Sequence, residues 1–128
     1  MQKERVIIIG SGPAGLSAAI YIARATLNPL VLTGTQIGGQ ISLTYEVENY
    51  PGFPHGVMGP EMMGLFQQQA ERFGTKVIGE DITRCDFSKR PFELHISNGE
   101  IVKAHSVIIA TGAVANWLGL PNEMRLAT

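Results

Sequence analysis

The hydrophobic positions of this chain fall into short blocks separated by glycine and proline, and the period changes from block to block. Val6-Ile-Ile-Ile9 is an unbroken β-branched run, which reads as a strand buried on both faces. Polar Met1–Arg5 leads into it. After Gly10 the period becomes helical. Leu16, Ala18, Ala19, Ile20, Ile22 and Ala23 predict a helix over about Ala14–Arg24, rich in small residues. Pro13 suits its first turn, where a missing N–H costs nothing. Asn28-Pro29 breaks the helix, and Leu30-Val-Leu32 is a second short apolar run. The pattern predicts a right-handed β-α-β unit whose strands are parallel neighbours.

From Thr35 to Met58 no period holds, and glycines and prolines recur. Ordered loops of this length usually carry function. Ile37, Ile41, Leu43, Tyr45, Val47, Tyr50 and Phe53 are apolar anchors that a disordered linker would lack. Gly59-Pro60-Glu61 opens a second helix, expected over about Glu61–Phe73, with Met62, Phe66, Ala70 and Phe73 as its buried stripe and Gly74 as its stop. Lys76–Ile78 begins a third strand. Asp81–Phe87, Phe92–Ser97 and Glu100–Lys103 predict an antiparallel meander, packed as a separate layer. Asn98-Gly99 is its hairpin turn, since both residues accept positive φ. Ser106–Ala110 is a further apolar strand of the parallel sheet, and Ala113–Thr128, with Trp117, shows no clear element. The expected class is α/β: a Rossmann-like parallel sheet with helices, plus a three-stranded antiparallel meander.

The first strand and helix are joined by Gly10, Gly12 and Gly15 at G-x-G-x-x-G spacing. Strand before and helix after is the context a dinucleotide fingerprint requires. Gly10 allows the tight turn, Gly12 lets a pyrophosphate approach the backbone, and Gly15 lets the helix pack close to the sheet. The helix N-terminus then offers free N–H groups and a positive dipole end. The competing reading is a tight strand–turn–helix without a ligand. A dinucleotide site usually carries Asp or Glu at the end of its second strand, to bind a ribose hydroxyl. Here that place holds Thr33-Gly34, leaving Gln36 or backbone groups as substitutes.

Composition narrows the function classes. The chain has 128 residues, enough for one domain, and a net charge of −1 from interspersed acids and bases. That argues against a nucleic-acid footprint, which needs a basic stripe. No apolar run approaches the roughly 18 residues of a membrane span. No signal peptide is recognisable, so a cytoplasmic location is expected. Cys85 is the sole cysteine, which excludes an internal disulfide and a C-x-x-C pair. Cys85 reads as a small half-buried hydrophobe. His55, His95 and His105 have neither metal-ligand spacing nor a nucleophile nearby, so no metal site and no catalytic residue is expected.

The chain resembles the N-terminal part of the low-molecular-weight, bacterial-type thioredoxin reductases. The resemblance rests on Gly10-Ser-Gly-Pro-Ala-Gly15, Gly38-Gly-Gln-Ile41, Glu46-Val-Glu-Asn-Tyr-Pro-Gly52, Gly59-Pro60, Arg90-Pro-Phe92, Ala110-Thr-Gly-Ala113 and Leu118-Gly-Leu-Pro121. Related flavoproteins share part of this pattern, but Gly-Gly-Gln followed by Val-Glu-Asn-x-Pro-Gly is specific to the group. The family is homodimeric and carries electrons from NADPH through FAD to an active-site disulfide and on to thioredoxin.

The resemblance implies that Gly10, Ser11, Gly12, Pro13 and Ala14, with Gly15 completing the fingerprint, hold the FAD pyrophosphate. It places Thr33 and Gly34 on the adenosine side, and the Asp81 and Ile82 backbone at the adenine. Gly39, Gln40 and Asn49 are implied near the ribityl chain and isoalloxazine, with Tyr45, Tyr50 and Phe53 as apolar surface. Gln40 and Asn49 also read as loop-shaping amides. Ala110, Thr111 and Gly112 are implied to close on the cofactor. In the family an NADPH domain with the C-x-x-C pair follows, and a last segment returns to complete the FAD domain. Neither is in these 128 residues. The chain is therefore expected to be the first segment of an FAD domain, with weak or no FAD retention and no turnover alone. A second copy or partner chain is expected over an unpaired sheet edge. A stand-alone flavin- or nucleotide-binding module, or a non-catalytic interaction unit, is the alternative.

Overall fold

The chain runs β1 (Gln2–Ile9), α1 (Pro13–Arg24), β2 (Leu30–Leu32), a 3₁₀ turn (Gln40–Leu43), α2 (Gly59–Arg72), β3 (Lys76–Ile78), β4 (Ile82–Asp86), β5 (Phe92–Ile96), β6 (Ile101–Ile109) and a short α3 (Glu123–Leu126). This computed structural model describes residues 2–43, 46–114, 116 and 118–126. All six strands form one mixed sheet in the order β3-β2-β1-β6-β5-β4. β1 is parallel to both β2 and β6, and β2 is parallel to β3. β5 is antiparallel to β6 and to β4.

Two strands are longer than the apolar pattern suggests. β1 starts at Gln2 rather than Val6, because Gln2, Lys3 and Glu4 pair with Val102, Lys103 and Ala104. Backbone hydrogen bonds hold a strand without apolar side chains. Lys76 reaches the buried Glu4 carboxylate at 3.5 Å from the far edge of the sheet. Glu100–Lys103 and Ser106–Ala110 are one strand, β6, and not two. The polar stretch around His105 reads as a break, yet the pleat continues through it, with Val102 and Ala104 buried. The meander is accordingly hydrogen-bonded into the parallel sheet through β6, while its side chains pack over the sheet's second face. Its third strand is the first half of β6, hydrogen-bonded to β1 and β5 at once.

The two faces of β1 go to different cores, as strict alternation requires. Val6 and Ile8 pack with Leu16 and Ala19 of α1 and with Met62, Met63, Phe66 and Ala70 of α2. Ile7 packs with Leu30 and Leu32 on one side and Leu94, Ile96 and Val102 on the other. The twisted meander thus covers the face that the helices leave open. Phe73 is only half-buried, with the Arg72 guanidinium 5.1 Å from its ring, whereas Met63, near the start of α2, is buried in the core.

The long loop is ordered by fewer anchors than its apolar content suggests. Val47 is buried and bridges Val57, while Ile41 and Phe53 pack on the helical core. Ile37 and Leu43 are exposed, and Tyr50 is 39% exposed. Tyr45 and Trp117 lie outside the described residues. At the hairpin, Gly99 alone takes positive φ, at +90°; Asn98 does not. Gly99 N–H donates to Ile96 C=O at 3.0 Å, so an ordinary turn followed by one left-handed glycine closes the hairpin.

Candidate functional site

The site lies beyond the carboxyl ends of β1, β2 and β6. Gly10 N–H donates to Leu32 C=O at 2.9 Å and Ala110 N–H donates to Ile9 C=O at 2.8 Å, which ties the three strand ends together. Ligands of open α/β sheets bind at this end.

The three fingerprint glycines have separable reasons. Gly10 has φ +112°, and a Cβ there would lie 2.2 Å from the Ala110 carbonyl oxygen. A Cβ on Gly15 would lie 2.0 Å from the Gly10 carbonyl oxygen. The fold itself demands both. Gly12 is different: its φ is −73° and its nearest neighbour to a Cβ would be Gly39 Cα at 3.6 Å, an ordinary contact. Nothing in the protein's own packing requires glycine at 12, and the residue lines the cleft.

α1 begins immediately after Gly12, with Pro13 in its first turn and no side-chain cap. Leu16 N–H donates to Gly12 C=O at 3.0 Å. The N–H groups of Ala14 and Gly15 therefore precede the first intrahelical bond. A buried Ser11 hydroxyl accepts from Gly38 N–H at 3.0 Å, and the Ser42 hydroxyl donates to Gly39 C=O at 2.6 Å. These bonds lay Gly38-Gly39 against Gly12. A Cβ on Gly39 would lie 2.9 Å from Gly12 Cα, so this approach also requires glycine.

The resulting cleft has a volume of about 580 Å³, within the range of small-molecule sites. Gly10, Ser11, Gly12, Pro13 and Ala14 line it from the β1–α1 turn, Thr33 and Gly34 from the end of β2, and Asp81 and Ile82 from the start of β4; Gly39, Gln40, Ala110, Thr111 and Gly112 complete it. Four residues named in the sequence fall outside. Gly15 packs on Gly10 beneath the loop, and exposed Asn49 does not line the cleft. Tyr50 and Phe53 do not line it either. Tyr50 packs edge-on to Phe66 of α2 at 5.3 Å, drawn to the helical core instead.

Asp81's backbone is engaged elsewhere: its N–H donates to Ser97 Oγ at 3.0 Å and its C=O accepts from Ser97 N–H at 2.9 Å. The lining also includes Gln36, the substitute named for the ribose acid, and Ile9, Leu32, Ile41, Glu80, Ala113 and Val114, to which the sequence assigns no site role. Ile9 and Leu32 are the last strand residues before the loops, a position that marks them in hindsight; Glu80 carries no such signal. Cys85 sits half-buried against the second core, away from the cleft, and burial pushes its thiol pKa up. A protonated thiol is a poor nucleophile. Among the described residues no group of His, Cys, Asp and Glu could hold a metal, and no helix is long and apolar enough to cross a membrane.

The model of the pyridine nucleotide-disulphide oxidoreductases matches residues 4–128. This chain belongs to that family. Within it, the thioredoxin reductase of Rickettsia bellii is 52% identical over 119 residues, covering 93% of this chain and 38% of the relative. The solved thioredoxin reductase of Giardia duodenalis shares the fold with a TM-score of 0.87 at 39% identity, over 98% of this chain and 40% of that one. A glucosaminate ammonia-lyase of Pseudomonas fluorescens is 48% identical over 123 residues, covering 96% of this chain and 38% of its own length. The chain thus spans about 38–40% of the length of these relatives. The likeness to the thioredoxin reductases extends over 93% of this chain in sequence and 98% in fold.

Proposed function

We propose that these residues are the first segment of an FAD-binding domain, supplying the pyrophosphate and adenosine end of the site. Gly12 carries this reading: it is the one fingerprint glycine that the fold does not itself need, and it faces the cleft. The pyrophosphate would lie over Gly12, against the first N–H groups of α1, where backbone donors and the helix dipole favour an anion. Ala110, Thr111 and Gly112 would flank the flavin side, with Gln40 offering an amide. FAD, when bound, supplies two-electron transfer between a nicotinamide and a disulfide. In a full-length protein we propose NADPH as electron donor and a disulfide, that of thioredoxin, as acceptor.

The 128 residues hold one cysteine and one glycine fingerprint, so they lack the dithiol and the second nucleotide site of such a relay. We therefore propose no turnover by this chain alone and weak, reversible FAD binding. The ammonia-lyase relative keeps a second reading open, in which the same module serves a different reaction, since a fold hosts many chemistries. The outer edge of Ser106–Ile109 has no strand partner among the described residues, and Ile109 is 65% exposed. A second copy of the chain is the proposed cover, because open edges invite pairing.

Calorimetric titration with FAD, ADP and FMN tests the proposal. FAD and ADP bind and FMN does not, because FMN lacks the adenylate half. Equal binding of FMN and FAD would overturn the assignment of the cleft.

A further inference from the structure

The second strand of this fold ends without the acid that usually receives a ribose hydroxyl, yet the volume that acid would fill is not empty. Gly34 has φ +65°, and a Cβ there would lie 2.7 Å from Asp81 Oδ1 and 3.8 Å from Asp81 Cγ. The carboxylate thus comes from the β3–β4 connection, across the sheet edge, to the place where a side chain at position 34 would start. The connection is held in register. Thr33 N–H donates to Ile78 C=O at 3.0 Å and Gly34 N–H donates to Glu80 C=O at 3.1 Å.

We propose that Asp81 is the ribose-recognising residue of this cleft, its carboxylate accepting from a hydroxyl of the adenosine ribose. The inference rests on the cleft binding an adenine nucleotide. Both backbone groups of Asp81 are bonded to Ser97, so the carboxylate is the polar group it has left to offer. Among the described residues no hydrogen bond or ion pair is made to that carboxylate, whereas the neighbouring Glu80 carboxylate accepts from the Ser97 hydroxyl. An ionised carboxylate only accepts, and a ribose diol offers two donors, so the chemistry matches. The geometry also sets a selectivity. With Asp81 and Glu80 both lining the cleft, a ribose 2′-phosphate would face like charge, which disfavours it. The site therefore takes the unphosphorylated adenosine of an FAD-type ligand and rejects the 2′-phosphorylated kind.

The test is a titration cycle on the 128-residue chain with ADP, 2′-deoxy-ADP and 3′-deoxy-ADP, each against wild type, Asp81→Ala and Gly12→Ala. Asp81 is exposed, so its truncation leaves the fold intact, which a thermal melt verifies. In wild type at least one deoxy analogue binds about tenfold more weakly than ADP, the worth of a hydrogen bond to a charged group. In Asp81→Ala that discrimination falls to within about twofold. Gly12→Ala weakens all three nucleotides alike and keeps the discrimination. Adenosine 2′,5′-bisphosphate binds more weakly than AMP in wild type, and Asp81→Ala narrows that gap. Discrimination against the deoxy analogues that persists unchanged in Asp81→Ala overturns the ribose assignment alone. Failure of ADP to bind wild type overturns the nucleotide site itself, and with it this assignment.

Discussion

A Cβ on Gly10 would lie 2.2 Å from the Ala110 carbonyl oxygen. The turn out of β1 and the end of β6 therefore meet backbone to backbone, and the cleft floor exists because they can. Gly10→Ala places a methyl inside a carbonyl and forces a residue with φ +112° out of its conformation. Gly15→Ala drives α1 off the turn through the Gly10 carbonyl at 2.0 Å. Each is expected to cost roughly 3 kcal/mol, from overpacking at both positions and from backbone strain at Gly10 as well. Urea unfolding monitored by circular dichroism checks this; a loss of unfolding free energy under a tenth of that size contradicts it.

Leu94 links the meander to the parallel sheet. It is fully buried, in one cluster with Ile7, Leu30 and Leu32. Leu94→Ala should destabilise the chain by about 2–5 kcal/mol, the usual range for a buried leucine. Because β6 belongs to both halves of the sheet, the loss should appear as one cooperative transition. A biphasic melt would show that the meander unfolds independently.

The apolar pattern located β2 and β3 and the two main helices to within a residue or two, since buried strands and amphipathic helices announce themselves by period. It misread β6 because a continuous strand whose edge changes partner from β5 to open surface also changes composition, and His105-Ser106 looked like a boundary. It misread Asn98 because a turn with one left-handed residue satisfies the hairpin as well as a turn with two. In the cleft, the fingerprint and the residues after each strand were visible, since backbone approach demands glycine at fixed spacing. Asp81's side chain was not. Its carboxylate reaches Gly34 through tertiary placement of a loop 47 positions later in the chain, and no local spacing encodes that.

The Glu123 carboxylate accepts from three successive backbone groups: the N–H of Leu118, of Gly119 at 2.6 Å and of Leu120 at 3.1 Å. The bond from Leu118 leads in holding its pKa below the ordinary glutamate value. A depressed carboxylate pKa means that the ordering of 118–120 is fully present above the ordinary glutamate range and is lost as pH falls through the depressed value. The amide shifts of Gly119 and Leu120 should titrate together below that range, and Glu123→Gln should abolish the transition. Shifts that stay flat in the wild-type chain would contradict the capping role.

Exposed Ile109 ends the open stretch of β6. Self-association through this edge should be concentration-dependent and suppressed by Ile109→Lys, since an edge lysine blocks strand addition. Light scattering at high concentration is expected to show assembly for wild type and monomer for the variant, with equal melting temperatures. A wild-type monomer at every concentration removes this edge as an interface.

FAD titration of Gly12→Ala beside wild type tests the central claim most directly. The new methyl meets Gly39 Cα at 3.6 Å and the Gly38 carbonyl oxygen at 3.9 Å, both ordinary contacts, at φ −73°, so stability should change by less than about 1 kcal/mol. The same methyl stands where the pyrophosphate would approach, so FAD affinity is predicted to fall about tenfold or more. Unchanged FAD affinity in a folded Gly12→Ala chain would contradict the account.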